Sequence, residues 1–298
     1  MTEMSSSAAP SWPVTPGYRD GLFHGAAQFY AAFRPAYPAA LFTDLLARVG
    51  EQRGGHLVDL ACGTGEIAIP LHGHFTHVQA VDIEPEMIEV GRAKAADVGA
   101  TDIEWSVGKA EDLHVTAPVQ LITVGNAFHR LDRPLIAGKA REWLAPDGCI
   151  AVLGSSTPWS GTEAWQAAAV EVIDRWTGHP HRPAGPAVAG GEAPVRLTHE
   201  DVLIAAGFEQ VAEHRFPTPH TWTLDEFVGF LWSTSIAGPI RETPSTAEGF
   251  EAELRDRLLT LEPSGQLQET IAHYYILGHR PTRGDSRSNA HIHVARCY

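Results

Sequence analysis

The 298-residue chain reads as an α/β protein: a parallel sheet with helices on both faces. Three observations predict this class. Short apolar runs alternate with helical stretches between residues 56 and 153. A glycine-bearing loop in HLVDLACGTGEIAI (56–69) joins the first such run to a helix-forming one. A composition of 44% apolar and 19% charged residues suits a soluble globule with a full core, either one large domain or a core with a lid.

In chain order, residues 1–16 (MTEMSSSAAPSWPVTP) are small, polar and proline-rich and are expected to be disordered. Phe23 to Leu46 gives a short helix, a proline-punctuated turn and an amphipathic helix. Leu57–Ala61 is a strand, followed by a helix from Glu66. Val78–Ile83 is a strand, and Pro85–Ala96 is a helix with proline near its start. Strands at Ile103–Val107 and Leu121–Val124 precede a helix over Leu135–Leu144, and the PDG turn at 146–148 leads into a strand at Cys149–Leu153.

Beyond Leu153 the character changes. A helix is expected near Glu163–Trp176, then a loop rich in Gly, Pro and His. LTHEDVLIAAGF predicts a capped helix feeding a strand through Val211. Thr221–Ser233 and Ala247–Leu261 read as helices, ETIAHYYILGHRP as a final strand, and the tail from Thr282 as aperiodic. No internal repeat is present.

The glycine loop poses the chemical question. Gly63-Thr64-Gly65-Glu66-Ile67-Ala68 matches a relaxed dinucleotide fingerprint, with Asp82 near the distance of a ribose-binding acid. Two features argue otherwise. About fifty residues of helical material precede the loop, and Asp59 ends the strand just before it. A carboxylate there would repel a pyrophosphate but suits a cation. S-adenosylmethionine (SAM) carries an ammonium and a sulfonium and no phosphate, while glycines let the backbone approach it closely. Downstream, Asp82 can accept both ribose hydroxyl protons, Ile83 and Met87 can sandwich an adenine, and Glu111 and Asp112 lie in the next loop, where a carboxylate or backbone carbonyl can receive its amino group. The next strand ends at Gly125 and Asn126, where the reacting methyl would point.

In order and spacing, DLACGTG, VDIEPEM, GKAEDL and LITVGNAFHRLD resemble the first four motifs of the class I SAM-dependent methyltransferases, and LAPDGCIAVL resembles the segment into the fifth strand. FRPAYPAALF and NAFHRLDRP are similar to the trans-aconitate-methyltransferase-like (methyltransferase type 11) branch, whose members often have His-Trp where this chain has His129-Arg130. The resemblance covers residues 25–155 well and the rest by topology. It implies a Rossmann-like, seven-stranded, mostly parallel sheet with an antiparallel last strand, plus a helical lid from the N-terminal segment and an insert after strand five. The expected organisation is a SAM-binding core with lid helices over 17–155, and a lid and substrate insert interleaved with strand six over 156–262. The last core strand follows at 263–281 and a tail at 282–298. The implied cofactor is SAM, held by Asp59, Ala61, Gly63, Gly65, Asp82, Ile83, Met87, Ala110, Glu111, Gly125 and Asn126.

Methyl transfer from a sulfonium is an in-line displacement, so the protein must chiefly align the reactants and exclude water. His129, just past the fourth strand, is the first choice for a catalytic or orienting role. Tyr30, Arg34 and Tyr37 belong to the segment expected to fold over the cofactor and contact the substrate. Trp159 follows the fifth strand closely and is expected at the acceptor, and carbon methylation of an alkene through a carbocation would take Glu163 or Glu171 as a possible base. The acceptor is expected to be a small molecule, with oxygen (carboxylate or hydroxyl) first. Carbon methylation of an alkene or prenyl compound and nitrogen methylation are the alternatives. The rival is a methyltransferase fold that binds SAM without transferring methyl.

A net charge of −14 argues against a nucleic-acid partner gripped over a broad basic face. Three scattered cysteines (Cys62, Cys149, Cys297) give no disulfide framework, and no leader or spanning segment is evident, so a cytoplasmic monomer or homodimer without membrane contact is expected. His72, His74 and His77, and the pairs His179/His181 and His291/His293, lack a ligand pattern, so no metal is expected.

Overall fold

The computed structural model describes residues 23–50, 55–116, 118–178, 197–241 and 243–281. The expectations for residues 1–16, for His179 and His181, and for the tail from 282 with His291, His293 and Cys297 lie outside them.

One seven-stranded sheet organises the chain, in the order β3-β2-β1-β4-β5-β7-β6. The strands are β1 (His56–Leu60), β2 (His77–Asp82), β3 (Ile103–Val107), β4 (Val119–Gly125), β5 (Leu144–Ser155), β6 (Glu209–Thr223) and β7 (Gln266–His279). β1 to β5 pair in parallel, and β7 runs antiparallel to both β5 and β6. The order reverses between β1 and β4, and the crevice beyond the carboxyl ends at such a switch point is where open α/β sheets bind ligands.

The central strands are apolar almost throughout because helices cover both faces. On one face Leu57, Leu121, Ala151 and Tyr275 pack with Leu41 and Leu45 of α2 (Ala39–Val49) and Ile88 of α4 (Pro85–Asp97). On the other, Val58, Ile122, Ile150 and Ile276 pack with Ile136 and Ala140 of α5 (Arg133–Trp143) and Leu203 of α7 (His199–Ala205). Thr198 caps α7 in a reciprocal box with Asp201, as LTHED predicts.

A third core lies above the carboxyl ends. It joins Trp165 and Ile173 of α6 (Ala164–Thr177), Trp222 of β6, and Phe227 and Phe230 of α8 (Leu224–Trp232) to Phe250 and Leu254 of the helix Pro244–Leu261. Phe29 and Phe33 of α1 (Ala27–Phe33) lean on it, and Gly229 makes room, since a Cβ there would collide with the Phe33 ring. Most tryptophans of the insert are therefore packing residues.

Three elements differ from expectation. The helix expected from Glu66 is one turn, α3 (Ala68–Leu71), continued by a 3-10 turn at His72–His74. β5 begins at Leu144, with its register shifted opposite Val119/Leu121. β6 runs on to Thr223, and Pro217 and Pro219 stay in its ladder with β7. Edge strands tolerate proline because one row of their N–H positions faces away from the sheet.

Candidate active site

The glycine turn is built from the ends of β1 and β2. Cys62 N–H donates to the Val81 carbonyl (3.0 Å), Gly65 N–H closes on Cys62 O (3.0 Å), and Gly63 N–H donates to Asp82 Oδ2 (2.8 Å). Gly63 and Gly65 have φ of 57° and 89°, a region that disfavours side chains. At Gly65 a Cβ would also lie 2.7 Å from the Trp105 ring, so this position is closed to other residues twice over. Ala61 takes a left-handed φ of 51° without being glycine, and such strain clusters where backbone must meet a ligand.

Asp59 is fully buried. Thr123 Oγ1 donates to its Oδ1 (2.7 Å) and Ala68 N–H to its Oδ2 (3.2 Å). Burial pushes its pKa up to about 7, and the two hydrogen bonds oppose that rise. Asp82 also accepts from Glu84 N–H (2.9 Å), and burial raises its pKa too. Beyond Asp82, Ile83 is half-buried on the loop, Met87 is buried in the first turn of α4, and Ala110 is buried at the start of the 3-10 turn Ala110–Asp112. The Glu111 carboxylate accepts Asp132 N–H (3.0 Å) at the start of α5, so its side chain is already engaged there.

A cavity of about 320 Å³ runs from this turn into the third core. Asp59, Ala61, Cys62 and Glu66 line one end, Gly125 and Asn126 the middle, and Trp159, Trp222, Phe230 and Glu269 the other. Asn126, with φ 49°, donates to Tyr37 Oη (3.0 Å) and accepts Ser155 N–H (3.1 Å), which ties β4, β5 and the N-terminal segment together. A Cβ on Gly125 would meet Ile67 Cδ1 at 2.6 Å and Tyr37 Oη at 3.2 Å, so glycine lets the cavity wall close.

The N-terminal segment forms the roof. Tyr30 packs against Gly63, and burial raises its phenol pKa to about 12. Arg34 lies 4.8 Å from the Tyr30 ring and 5.1 Å from the Phe230 ring and donates to Ser233 O (3.3 Å). Its Nε is buried in the cavity wall and has no hydrogen-bond partner among the described residues.

His129 lies at the rim, exposed, on the 3-10 turn Phe128–Arg130. Desolvation at the rim and then the charge of Arg130 lower its pKa to about 4, so it is neutral at pH 7. Trp159 lines the chamber, stacked 6.1 Å from Phe230.

Two sequence-derived assignments need correction. Glu171 is exposed on the outer face of α6, 3.6 Å from Arg257, and Glu163 is the exposed N-cap residue of that helix. Neither lines the cavity, because α6 turns Trp165, Ala169 and Val172 inward and the opposite face to solvent. The carboxylate within the chamber is Glu269 of β7, which the sequence reading missed. Its one signal was a charged residue amid the alternating apolar positions of the last strand.

His72 Nδ1 lies 2.7 Å from the Ile69 carbonyl and His77 pairs with Glu104. Among the described residues no group of three or more His, Cys, Asp or Glu is placed to hold a metal, and no helix is long and apolar enough to cross a membrane.

This donor set suits a cofactor that carries positive charge and no phosphate. Asp59, Glu66 and Asp82 surround the turn, and the nearby cation Lys94 is taken up by Glu66 (2.7 Å). Residues 57–148 match the family described as methyltransferase domain. The ubiquinone/menaquinone biosynthesis C-methyltransferase UbiE of Rubrivivax gelatinosus is 35% identical over 109 residues, 36% of this chain and 42% of that relative. The uncharacterized protein Rv1403c of Mycobacterium tuberculosis is 33% identical over 33% of this chain and 37% of its own length. The chain thus spans less than half the length of these curated relatives.

Among solved structures, a proposed type II methyltransferase of Anaeromyxobacter dehalogenans superposes with a TM-score of 0.59 at 20% identity, covering 84% of this chain and 98% of that one. A Haemonchus contortus phosphoethanolamine N-methyltransferase 2 complex with S-adenosylhomocysteine superposes at 0.52 and 12% identity, covering 91% of this chain and 61% of that one. Residues 57–148 thus resemble a methyltransferase domain, and the chain shares the fold of these methyltransferase structures. The cofactor of that family is SAM.

Proposed function

We propose that the chain transfers the methyl group of SAM to an oxygen of a small molecule seated in the aromatic chamber. The observation that carries this reading is the continuity of one cavity from Asp59 and Ala61, past Asn126, to Trp159 and Glu269. A sulfonium supplies an activated methyl, so alignment and water exclusion are the protein's main tasks.

In this reading Asp82 accepts the ribose hydroxyls with the lone pairs left by Gly63 and Glu84. Ile83, Met87 and Ala110 flank the adenine. Asp59 fixes the start of α3 and faces the methionine ammonium across Ala61. Tyr30 closes over Gly63, and Tyr37 and Asn126 orient the acceptor side. The unpartnered Nε of Arg34 favours an oxygen acceptor, because a buried donor without a partner is costly and a carboxylate or hydroxyl would satisfy it. A carboxylate needs no base, and neutral His129 at the rim can take a proton from a hydroxyl.

The aromatic walls and the similarity to a C-methyltransferase support carbon methylation as the second reading. Labelled-methyl transfer from SAM to panels of carboxylic acids, phenols, amines and prenyl compounds tests both. Saturable binding of SAM with none consumed across every panel would leave only the ligand-binding rival.

A further inference from the structure

Glu269 stands out at the far end of the chamber. Its Oε1 accepts the indole N–H of Trp222 (2.6 Å) and its Oε2 the side-chain amide of Gln166 (2.9 Å). The orientation of that amide is fixed, because Gln166 Oε1 accepts the backbone N–H of Glu163 (3.0 Å). Both oxygens of Glu269 are thus acceptors, the arrangement that matches an ionised carboxylate. Burial raises its pKa, and the two bonds offset only part of that rise. Among the described residues no Lys, Arg or His forms an ion pair with Glu269. Arg34, in the same cavity, is held by Tyr30, Phe230 and the Ser233 carbonyl instead.

A half-buried carboxylate without a counter-charge is expensive unless a ligand supplies one. The surroundings say which kind. Trp159 stacks on Phe230, and Trp222 meets Phe230 at 5.0 Å, so Glu269 looks into a chamber walled by three aromatic side chains. Aromatic faces attract cations, and more strongly when water is excluded.

We propose that the acceptor molecule carries an ammonium group, and that this group docks on Glu269 against Trp159, Trp222 and Phe230. The oxygen that takes the methyl then lies toward Asn126 and Arg34, so the acceptor class is an amine bearing a hydroxyl or carboxylate. Calling the ligand an acceptor rests on the methyl-transfer reading; the cation site itself does not.

The test is calorimetric titration of the full chain, with and without S-adenosylhomocysteine, using benzylammonium, benzyl alcohol and phenylacetate. Benzylammonium should bind about tenfold or more tightly than benzyl alcohol, as expected for a charge-assisted contact in an aromatic site. Glu269→Gln should abolish that preference, with a lower melting temperature alongside it, because the new amide N–H2 would face the Trp222 or the Gln166 donor. Equal affinities for the amine and the alcohol, or tighter binding of phenylacetate, in the unaltered protein would overturn the proposal without reference to any variant. Amine selectivity without S-adenosylhomocysteine binding would remove the methyl-transfer reading and leave the cation site standing.

Discussion

The backbone N–H of Gly63 and the carboxylate of Asp82 meet at 2.8 Å, so the glycine turn and the end of β2 are locked into one unit before any ligand arrives. The same carboxylate holds Glu84 N–H at 2.9 Å, which fixes the start of the loop leading to α4. One side chain thus shapes the turn and presents the acceptor oxygens proposed for the ribose.

Asp82→Ala should therefore weaken SAM and S-adenosylhomocysteine binding by about a hundredfold, the scale of losing two or more hydrogen bonds to a charged group. Isothermal calorimetry reads this directly. Unchanged affinity would remove Asp82 from the cofactor site.

Gly65→Ala places a Cβ against Trp105 and Ile69 at a φ of 89°. Both effects destabilise, together by roughly 2–4 kcal/mol. Denaturant unfolding should show a lower midpoint with an unchanged slope, and cofactor affinity should fall with it.

Acid sensitivity follows from two buried histidines. His56 and His273 are 9% and 2% exposed, and each has a buried ring nitrogen without a hydrogen-bond partner among the described residues. Burial lowers both pKa values from 6.5 to about 4. Above pH 6.5 both rings are neutral folded or unfolded, and nothing is lost. Between pH 6.5 and 4 the unfolded chain takes up protons that the folded chain refuses, so stability falls as pH falls, by roughly 1–3 kcal/mol per residue. His56→Gln should flatten part of that slope in melting temperatures taken from pH 7 to 4.

His129 offers a kinetic counterpart. With its pKa near 4 in the free protein, it already accepts protons at pH 6. If it serves as base, kcat/KM should show no acid limb near 6.5 and should fall only toward pH 4. His129→Ala should lower kcat for a hydroxyl acceptor about 10²–10⁴-fold, the usual contribution of a positioned base, and leave a carboxylate acceptor nearly unaffected. Full activity on hydroxyls would exclude the histidine from catalysis.

The first half of the chain was legible in the sequence because its strands are buried on both faces and its turns need glycine or a capping acid. β3 falls where Ile103–Val107 places it, and α4 begins at Pro85. The second half was harder for physical reasons. The strand expected through Val211 runs on to Thr223 with Pro217 and Pro219 in its ladder, because at an edge a missing donor costs the sheet little. Choosing Glu171 as a base overlooked its own helix: Trp165, Ala168, Ala169, Val172 and Ile173 define the buried stripe, and Glu171 falls off it. Glu269 needed the partner strand, since only pairing with β6 brings Trp222 and a carboxylate into one chamber.

The prolines of β6 reach beyond the fold itself. A fifteen-residue strand at the rim of a sheet is a template on which a second molecule could add a strand and propagate. Pro217 and Pro219 interrupt that template mid-length, since neither has an N–H to offer an incoming chain. Self-association by continuing the sheet across this rim is thereby discouraged.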